Sequence, residues 1–186
     1  TKNIAYIDYS KGNVSIKEIQ DTIDAYHPDI SPDGKWVAFC TLFEGLSGKS
    51  RLYVRKLTPQ GENLVELDVS SAAIPRWRVL DNGDTAIVYV SSPQNNEDES
   101  QFKKESTWQV SFKNGKFGEP EKLFDGAYHG GVSADNNLAI SGSQLLRARI
   151  TEGSKILDTV WYNSEQACNA SINKDNSKRT LFLDFG

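Results

Sequence analysis

Several residue types that carry chemistry are scarce in this chain. Methionine is absent from the 186 residues, and histidine and cysteine occur only twice each. Cys40 and Cys168 lack the spacing of metal ligands, and two buried thiols are favoured over a single disulfide. No Gly-x-Ser-x-Gly motif occurs, which argues against a hydrolase of the Ser/His/Asp type. Because the chain has no methionine, we expect it to be an excerpt or a processed product.

Long apolar runs and an excess of basic residues are also missing. The chain has 21 Lys and Arg against 25 Asp and Glu, a net charge of -4. This balance does not support binding to nucleic acid or to an anionic membrane surface. No run of about 18 apolar residues occurs, so we expect no membrane insertion of this segment. No signal peptide opens the chain. With 38% hydrophobic and 10% aromatic residues, the composition is that of an ordinary soluble β protein with a substantial core.

Turn residues recur at a nearly constant spacing. Four turn pairs, each followed by an apolar run, are separated by 49, 53 and 40 residues. A series of glycines that follow strand-like segments keeps the same rhythm. Periods of about 40 to 50 residues built from short strands are the signature of β-propeller blades. We therefore predict an all-β fold, a β-propeller of about four four-stranded blades. The pairs are Asp33-Gly34, Asn82-Gly83, Asp135-Asn136 and Asp175-Asn176, and the glycines are Gly12, Gly61, Gly115 and Gly153.

The first full repeat illustrates how such a blade is built. Ser31-Pro32-Asp33-Gly34 is a predicted turn, because proline presets φ and glycine accepts a positive φ. The following segment, Trp36 to Cys40, is apolar on both faces of the pleat. A strand of this kind needs cover on both sides, which neighbouring blades provide. Leu52 to Leu57 and Leu64 to Leu67 then read as more peripheral strands.

The predicted blades occupy residues 26–71, 72–126 and 127–165. Residues 1–25 supply only an outer pair of strands, and residues 166–186 supply only an inner pair. Their pairing would close a four-bladed ring and remove the open sheet edges. The alternatives are an open arc of a larger propeller and strand exchange between chains.

One stretch carries a family resemblance. His27-Pro28-Asp29-Ile30-Ser31-Pro32-Asp33-Gly34-Lys35-Trp36-Val37-Ala38-Phe39, continued by Arg51-Leu52-Tyr53-Val54, resembles the repeat of TolB-like, WD-repeat-like propellers. The corresponding turns of the other units are degenerate. The resemblance implies a propeller architecture, and because propellers host many functions it does not imply an activity.

Other segments resemble a paralogous family of large predicted envelope proteins, many of them lipoproteins, from a fibre-degrading rumen bacterium. The resemblance implies an exported protein of the bacterial cell envelope, periplasmic or surface-anchored, of which this chain is a part. It implies no catalytic residue. The segments are Gly126-Ala127-Tyr128-His129-Gly130-Gly131, Leu145-Leu146-Arg147-Ala148-Arg149 and Trp161-Tyr162-Asn163-Ser164-Glu165-Gln166-Ala167-Cys168-Asn169-Ala170.

The two histidines define the candidate site. His27 and His129 each stand four residues before a turn serine, and by turn spacing their counterparts are Arg76 and Asn169. We predict that these four residues form a polar ring at one mouth of the central channel. Some propeller lyases with TolB-like repeats use channel histidines to bind a metal, but two histidines without further ligands are too few for a stable site, so no metal is predicted. The guanidinium of Arg76 favours an anion such as a carboxylate or uronate. The alternative is a ring that only satisfies backbone groups and binds water.

Two further features of the sequence, the tryptophans and a carboxylate-rich run, could serve either structure or ligand binding. The four tryptophans could stack on sugar rings, but strand positions favour the core, with Trp77 the exception because Arg76 and Arg78 flank it. The carboxylate-rich run Asn95 to Glu99 lacks calcium-loop spacing, so a solvated insertion is expected.

We therefore expect a non-catalytic propeller module that binds a protein or a glycan and needs no cofactor. The alternative is part of a carbohydrate-active enzyme, a metal-dependent lyase, with its site at His27 and His129.

Overall fold

The computed structural model describes residues 2–19, 23–162, 167–174 and 177–184. Within these residues the chain forms seventeen β-strands and one short α-helix. The all-β prediction is therefore confirmed. The turn pair Asp175-Asn176 lies outside the described residues. The elements are β1 (Ile4–Asp8), β2 (Ser15–Ile19), β3 (Tyr26–Ile30), β4 (Trp36–Cys40), β5 (Leu52–Lys56), β6 (Val65–Glu66), β7 (Ala73–Val79), β8 (Thr85–Val90), α1 (Glu99–Phe102), β9 (Ser106–Lys113), β10 (Lys116–Phe117), β11 (Glu121–Asp125), β12 (Gly131–Val132), β13 (Leu138–Gly142), β14 (Leu146–Glu152), β15 (Lys155–Tyr162), β16 (Ala167–Ile172) and β17 (Thr180–Asp184).

The strands form a series of antiparallel sheets in chain order. The sheet β3-β4-β5-β6 is followed by β7-β8-β9, to which β10 and β11 both add at β9, and then by β12-β13-β14-β15. Two-stranded sheets, β1-β2 and β16-β17, flank this series. Within the described residues no sheet joins β1-β2 to β16-β17, so the closed four-bladed ring is not established. The repeat of meandering sheets is nevertheless the order that a propeller requires.

Each sheet packs face to face on the next through its own apolar cluster. Strand β4 shows why both of its faces are apolar. Val37 and Phe39 pack with Ile4 and Ile19 of the β1-β2 sheet, whereas Ala38 packs on the next sheet. The clusters between the later sheets follow the same pattern. The double-sided burial of the inner strands therefore arises from neighbours on both sides, as the sequence predicts.

The first strands of three sheets share a β-bulge near their first residues. The pairing of β3, β7 and β16 with the next strand shifts by one residue, and the bulge residues His27, Ile74 and Asn169 have φ values of 51°, 50° and 53°. Bulges bend a strand and redirect its side chains. They set the direction of the side chains at the candidate site.

The insertion between β8 and β9 is part of the packed structure, which differs from the solvated insertion expected there. Asn96 is fully buried, and its side chain bonds to three residues around the turn between β13 and β14. Phe102 of α1 is also buried and packs edge-on against Tyr128, with ring centroids 4.9 Å apart. The carboxylates of the run, Glu97, Asp98 and Glu99, are exposed, and the buried amide of Asn96 just before them anchors the loop.

Both cysteines donate to backbone carbonyls. The Sγ atom of Cys40 donates to Leu42 O at 3.4 Å, and that of Cys168 donates to Ser143 O at 2.8 Å. Burial raises the pKa of the Cys40 thiol. This environment disfavours the reactive thiolate at Cys40.

Candidate functional site

Two of the four predicted ring residues, His27 and Asn169, line a cavity of about 350 Å³, which we call the Glu44 pocket, whereas Arg76 and His129 are not in its lining. His27 and Asn169 line it, and both are the bulge residues of their strands. The other lining residues come from loops that follow β4, β8 and β13, together with the start of β16. Four successive units of the chain therefore contribute to one cavity. Its lining is His27, Phe43, Glu44, Gly45, Asn95, Ser143, Gln144, Cys168 and Asn169.

Contacts between loops hold the walls of the Glu44 pocket in place. Gly45 N–H donates to Pro93 O at 2.7 Å, which joins the loop after β4 to the loop after β8. The side chain of Asn96 accepts N–H bonds from Gln144 and Leu145, each at 3.0 Å, which joins the second loop to the third. Ala167 N–H in turn donates to Gln144 O at 3.2 Å. Each loop is thus fixed by the next unit.

Glu44 is the central polar residue of the pocket, and the sequence did not indicate it. Its backbone N–H donates to Nε2 of His27 at 3.0 Å. Its side chain is 10% exposed, and Oε1 lies 3.6 Å from Nε2 of His129, which is 2% exposed. Neither of these two atoms has a hydrogen-bond partner among the described residues. The only sequence signal is a lone carboxylate in an apolar, glycine-containing loop.

Burial changes the ionisation of all three residues. It raises the pKa of Glu44 to about 7, an effect that the charge of Arg76 partly offsets. It lowers the pKa of His27 to about 4 and that of His129 to about 3, and the positive charge of Arg76 lowers both further. At neutral pH both imidazoles are therefore uncharged, whereas Glu44 titrates. A carboxyl with a perturbed pKa in a pocket is a recurrent feature of functional sites.

Arg76 lies close enough to His27, Glu44 and His129 to act on their ionisation. The strand register, however, gives it a different place in the repeat from the one inferred from turn spacing. Asp29 pairs with Ala38 and Arg76 with Val88, each just after its bulge, so Arg76 corresponds to Asp29. The counterpart of His27 in β7 is Ile74, which has the same φ. Arg76 lines a separate cavity together with Asp29 and does not line the Glu44 pocket.

The structure places Trp77 inside the interface between two sheets. It is 3% exposed, its ring meets Phe112 edge-on with centroids 5.7 Å apart, and its Nε1 donates to Asp29 O at 3.0 Å. The exposed aromatic residue at the Glu44 pocket is Phe43 instead, which is 53% exposed and lies beside the ring of His27.

The donor set of the pocket suits hydrogen bonding to a ligand better than it suits metal binding. Nε2 of His27 already accepts the N–H of Glu44, so it is not available as a metal ligand. Across the part of the chain that the structure describes, no three His, Cys, Asp or Glu side chains are grouped to hold a metal ion. Amides, a carboxyl and imidazoles can, however, donate and accept together.

Comparisons with known proteins give little beyond this geometry. No protein-family model matches the chain, and no curated protein matches it. Among solved structures the chain is similar to TolB from Acinetobacter baumannii, with 15% identity and a TM-score of 0.47. The match covers 99% of this chain and 52% of the TolB chain, so this chain spans about half of that length. The only described helix has four residues, and none in the described part is long and apolar enough for a membrane span.

Proposed function

We propose that this segment is a non-catalytic β-propeller module of an exported bacterial protein, and that it binds a glycan in the Glu44 pocket. The observation that carries the proposal is the combination of an exposed aromatic ring, Phe43, with buried and half-buried hydrogen-bonding side chains in one cavity of about 350 Å³. Ligand sites are concave cavities of about 300–1,000 Å³ with a few placed polar groups.

Sugar chemistry fits this lining. Asn95, Gln144 and Asn169 offer amides that donate and accept, as sugar hydroxyls do. Phe43 offers an apolar face for the C–H side of a pyranose ring. The raised pKa of Glu44 lets its carboxyl donate as well as accept near neutral pH. The charge of Arg76 acts on His27 and Glu44 of the pocket lining, which supports an anionic sugar such as a uronate.

A glycan array followed by calorimetric titration tests the proposal. We expect Phe43→Ala to weaken binding of a hit about fivefold, because one aromatic contact contributes about 1 kcal/mol beyond its area. Leu46→Ala is the matched control, since Leu46 is 51% exposed in the same loop and lies outside the pocket lining. If no glycan binds on the array and a pull-down from envelope extract captures no partner, the proposal is wrong. If the pull-down captures a protein and Phe43→Ala abolishes that capture, the ligand is a protein and not a glycan.

A second candidate is the carbohydrate-active enzyme of the lyase type. The observation that favours it is the Glu44 carboxyl, with a pKa of about 7, beside His129. Incubation with uronate polymers, with and without divalent cations, should give no unsaturated product if the module is non-catalytic. Turnover that Glu44→Gln abolishes would reverse this choice.

We further propose that the sheets are successive blades with the bounds 26–71, 72–126 and 127–165. The serial packing supports this, as does a common cavity lined by β3, β7, β12 and β16. Residues 1–25 and 166–186 then contribute the outer and inner strands of a shared blade, which strand exchange between chains would complete. The two flanking sheets, β1-β2 and β16-β17, carry exposed apolar residues, among them Ile16, which is 75% exposed, and Leu181, which is 72% exposed.

Light scattering over a dilution series tests the exchange. We expect a dimer that Leu181→Lys dissociates, whereas Leu157→Lys, at a residue 50% exposed on β15, does not. A monomer at all concentrations would contradict exchange.

The envelope location rests on the resemblance of three segments to predicted exported proteins. Fractionation of the bacterium that makes the whole protein tests it, and recovery in the cytoplasm would contradict it.

A further inference from the structure

The lining of the Glu44 pocket, as the described residues form it, includes a carboxyl group but no lysine or arginine. The other polar side chains there are amides, a hydroxyl, a thiol and the uncharged imidazole of His27. The thiol of Cys168 is engaged, since its Sγ donates to Ser143 O at 2.8 Å. Glu44 is therefore the lining residue whose charge changes near pH 7, and an acidic ligand has to bind beside it.

The two carboxyl oxygens of Glu44 have different surroundings. Oε1 is buried and lies 3.6 Å from Nε2 of His129, which is also buried. Oε2, in contrast, is not among the buried polar atoms that lack a partner in the described part of the chain. Because the side chain is 10% exposed and Oε1 is turned inward, Oε2 is the oxygen left to face the cavity.

The charged and titratable groups around Glu44 come from three other elements. His27 of β3 and His129, just before β12, are both uncharged at neutral pH. Arg76 of β7 carries a positive charge that acts on both histidines and on Glu44. Together these four side chains carry one net positive charge when Glu44 is protonated and no net charge when it is ionised. Only the protonated form therefore has a charge left to balance an anion.

An acidic sugar brings a second carboxylate into this space. Two carboxylates held close together repel each other, so one of them takes up a proton more readily. A bound uronate therefore favours the protonated form of Glu44, and the charge of Arg76 then balances the carboxylate of the ligand. An uncharged sugar lacks this effect, because its hydroxyls can donate to a carboxylate or accept from a carboxylic acid.

We propose that the Glu44 pocket binds acidic sugars together with one proton, which Glu44 takes up from solvent. This inference rests on the proposed sugar site and adds to it a class of ligand and a dependence on pH. The pocket binds an acidic sugar in a mildly acidic medium and releases it as the pH rises. No covalent bond of the sugar changes.

Calorimetric titration with a galacturonate trimer at pH 5.5 and pH 8 tests the coupling, with a galactose trimer as the uncharged control. We expect the affinity for the galacturonate trimer to fall about tenfold over this range, because binding requires a proton and Glu44 titrates at about pH 7. The affinity for the galactose trimer should not change. Protonation of the histidines cannot produce this result, since their pKa values are about 4 and about 3.

Proton uptake by the unaltered protein gives a second measurement. At pH 8 the binding enthalpies in two buffers of different ionisation enthalpy should show uptake of about one proton for each galacturonate trimer. At pH 5.5 the uptake should be close to zero, because Glu44 is already protonated there.

Two variants assign the proton to Glu44. Glu44→Gln keeps a polar group that donates and accepts but does not ionise, so its affinity for the galacturonate trimer should be the same at both pH values. Glu66→Gln is the matched control, because Glu66 lies on β6 outside the pocket lining, and it should retain the tenfold change.

The outcomes separate this inference from the sugar site itself. Equal affinity for the galacturonate trimer at both pH values, or no proton uptake at pH 8, would overturn the proton coupling alone. Binding of the galactose trimer without the galacturonate trimer would overturn the preference for acidic sugars. If neither trimer binds at either pH, the sugar site is wrong and this inference is wrong with it.

Discussion

Asn96→Ala is the most direct test of the loop contacts that build the Glu44 pocket. The Asn96 side chain is fully buried and makes four bonds to backbone groups. Its Oδ1 accepts from Gln144 N and Leu145 N at 3.0 Å each, and its Nδ2 donates to Ser141 O at 3.1 Å and Leu145 O at 2.5 Å. The substitution removes the partner of all four groups, of which the one at Ser141 lies in a buried contact and those at Gln144 and Leu145 in partly buried ones.

The expected loss of stability follows from these four bonds. At about 1 kcal/mol net for each bond, and with some relief from entering water, we expect Asn96→Ala to lower the free energy of unfolding by about 3 kcal/mol. With an m-value of about 2 kcal/mol/M, the urea midpoint falls by about 1.5 M. Urea titration followed by tryptophan fluorescence measures the change.

Two comparisons make this test specific. Asn82→Ala removes an amide whose bonds to Asp84 lie in an exposed turn, so we expect a loss below about 0.5 kcal/mol. Asn96→Asp retains an oxygen that accepts the two backbone N–H bonds, but its second oxygen replaces the donating Nδ2 and faces the carbonyls of Ser141 and Leu145. That carboxyl should therefore have a raised pKa, and the variant should lose stability as the pH rises. An Asn96→Ala protein that retains its fold and unfolds within about 0.5 kcal/mol of the unaltered chain would refute this account.

Three further predictions concern ionisation and close packing. The raised pKa of Glu44, about 7 against 4.5, contributes stability that is complete below the unfolded pKa and is lost as the pH rises through about 7. Relative to Glu44→Gln, the unaltered chain should therefore lose about 2–3 kcal/mol between about pH 4.5 and pH 8 in urea titrations, and parallel curves would contradict the buried carboxyl. The lowered pKa values of His27 and His129 act in the opposite sense, because their contribution is present above 6.5 and is lost as the pH falls through about 4 and about 3. Histidine NMR titrations should show no protonation of either ring above about pH 5, and a midpoint near the ordinary value would contradict their burial. At Gly142 an added Cβ would lie 2.5 Å from Ala167 O and 2.6 Å from Ala170 Cβ, so Gly142→Ala should cost about 1–3 kcal/mol and speed hydrogen exchange in β16. Unchanged exchange in β16 would contradict this close approach.

The local features of the repeat could be predicted from the sequence. The turn at Ser31 forms as expected, with Gly34 N–H donating to Ser31 O at 2.9 Å, and Trp36 to Cys40 is a strand with apolar cover on both sides. These features depend on neighbouring residues and on a period of two, which sequence patterns reveal.

The parts of the site that the sequence does not reveal depend on contacts between residues that are far apart in the chain. Asn96 bonds to residues 45 to 49 positions away, and Glu44 meets His129 across two sheets, so no local pattern indicates either residue. Turn spacing assigns Arg76 to the wrong position in the repeat for another reason. The bulge before it is defined by backbone conformation, and the bulge residues of the three strands, His27, Ile74 and Asn169, share no side-chain chemistry.

The position of the Glu44 pocket, with one wall from each of four consecutive units, has a consequence for cooperativity. No single unit forms the cavity alone, so the affinity for a ligand bound there would depend on the correct packing of all four units. Occupancy would then resist the detachment of any one of them, and a stacked array that otherwise could fray from its ends would open as a whole.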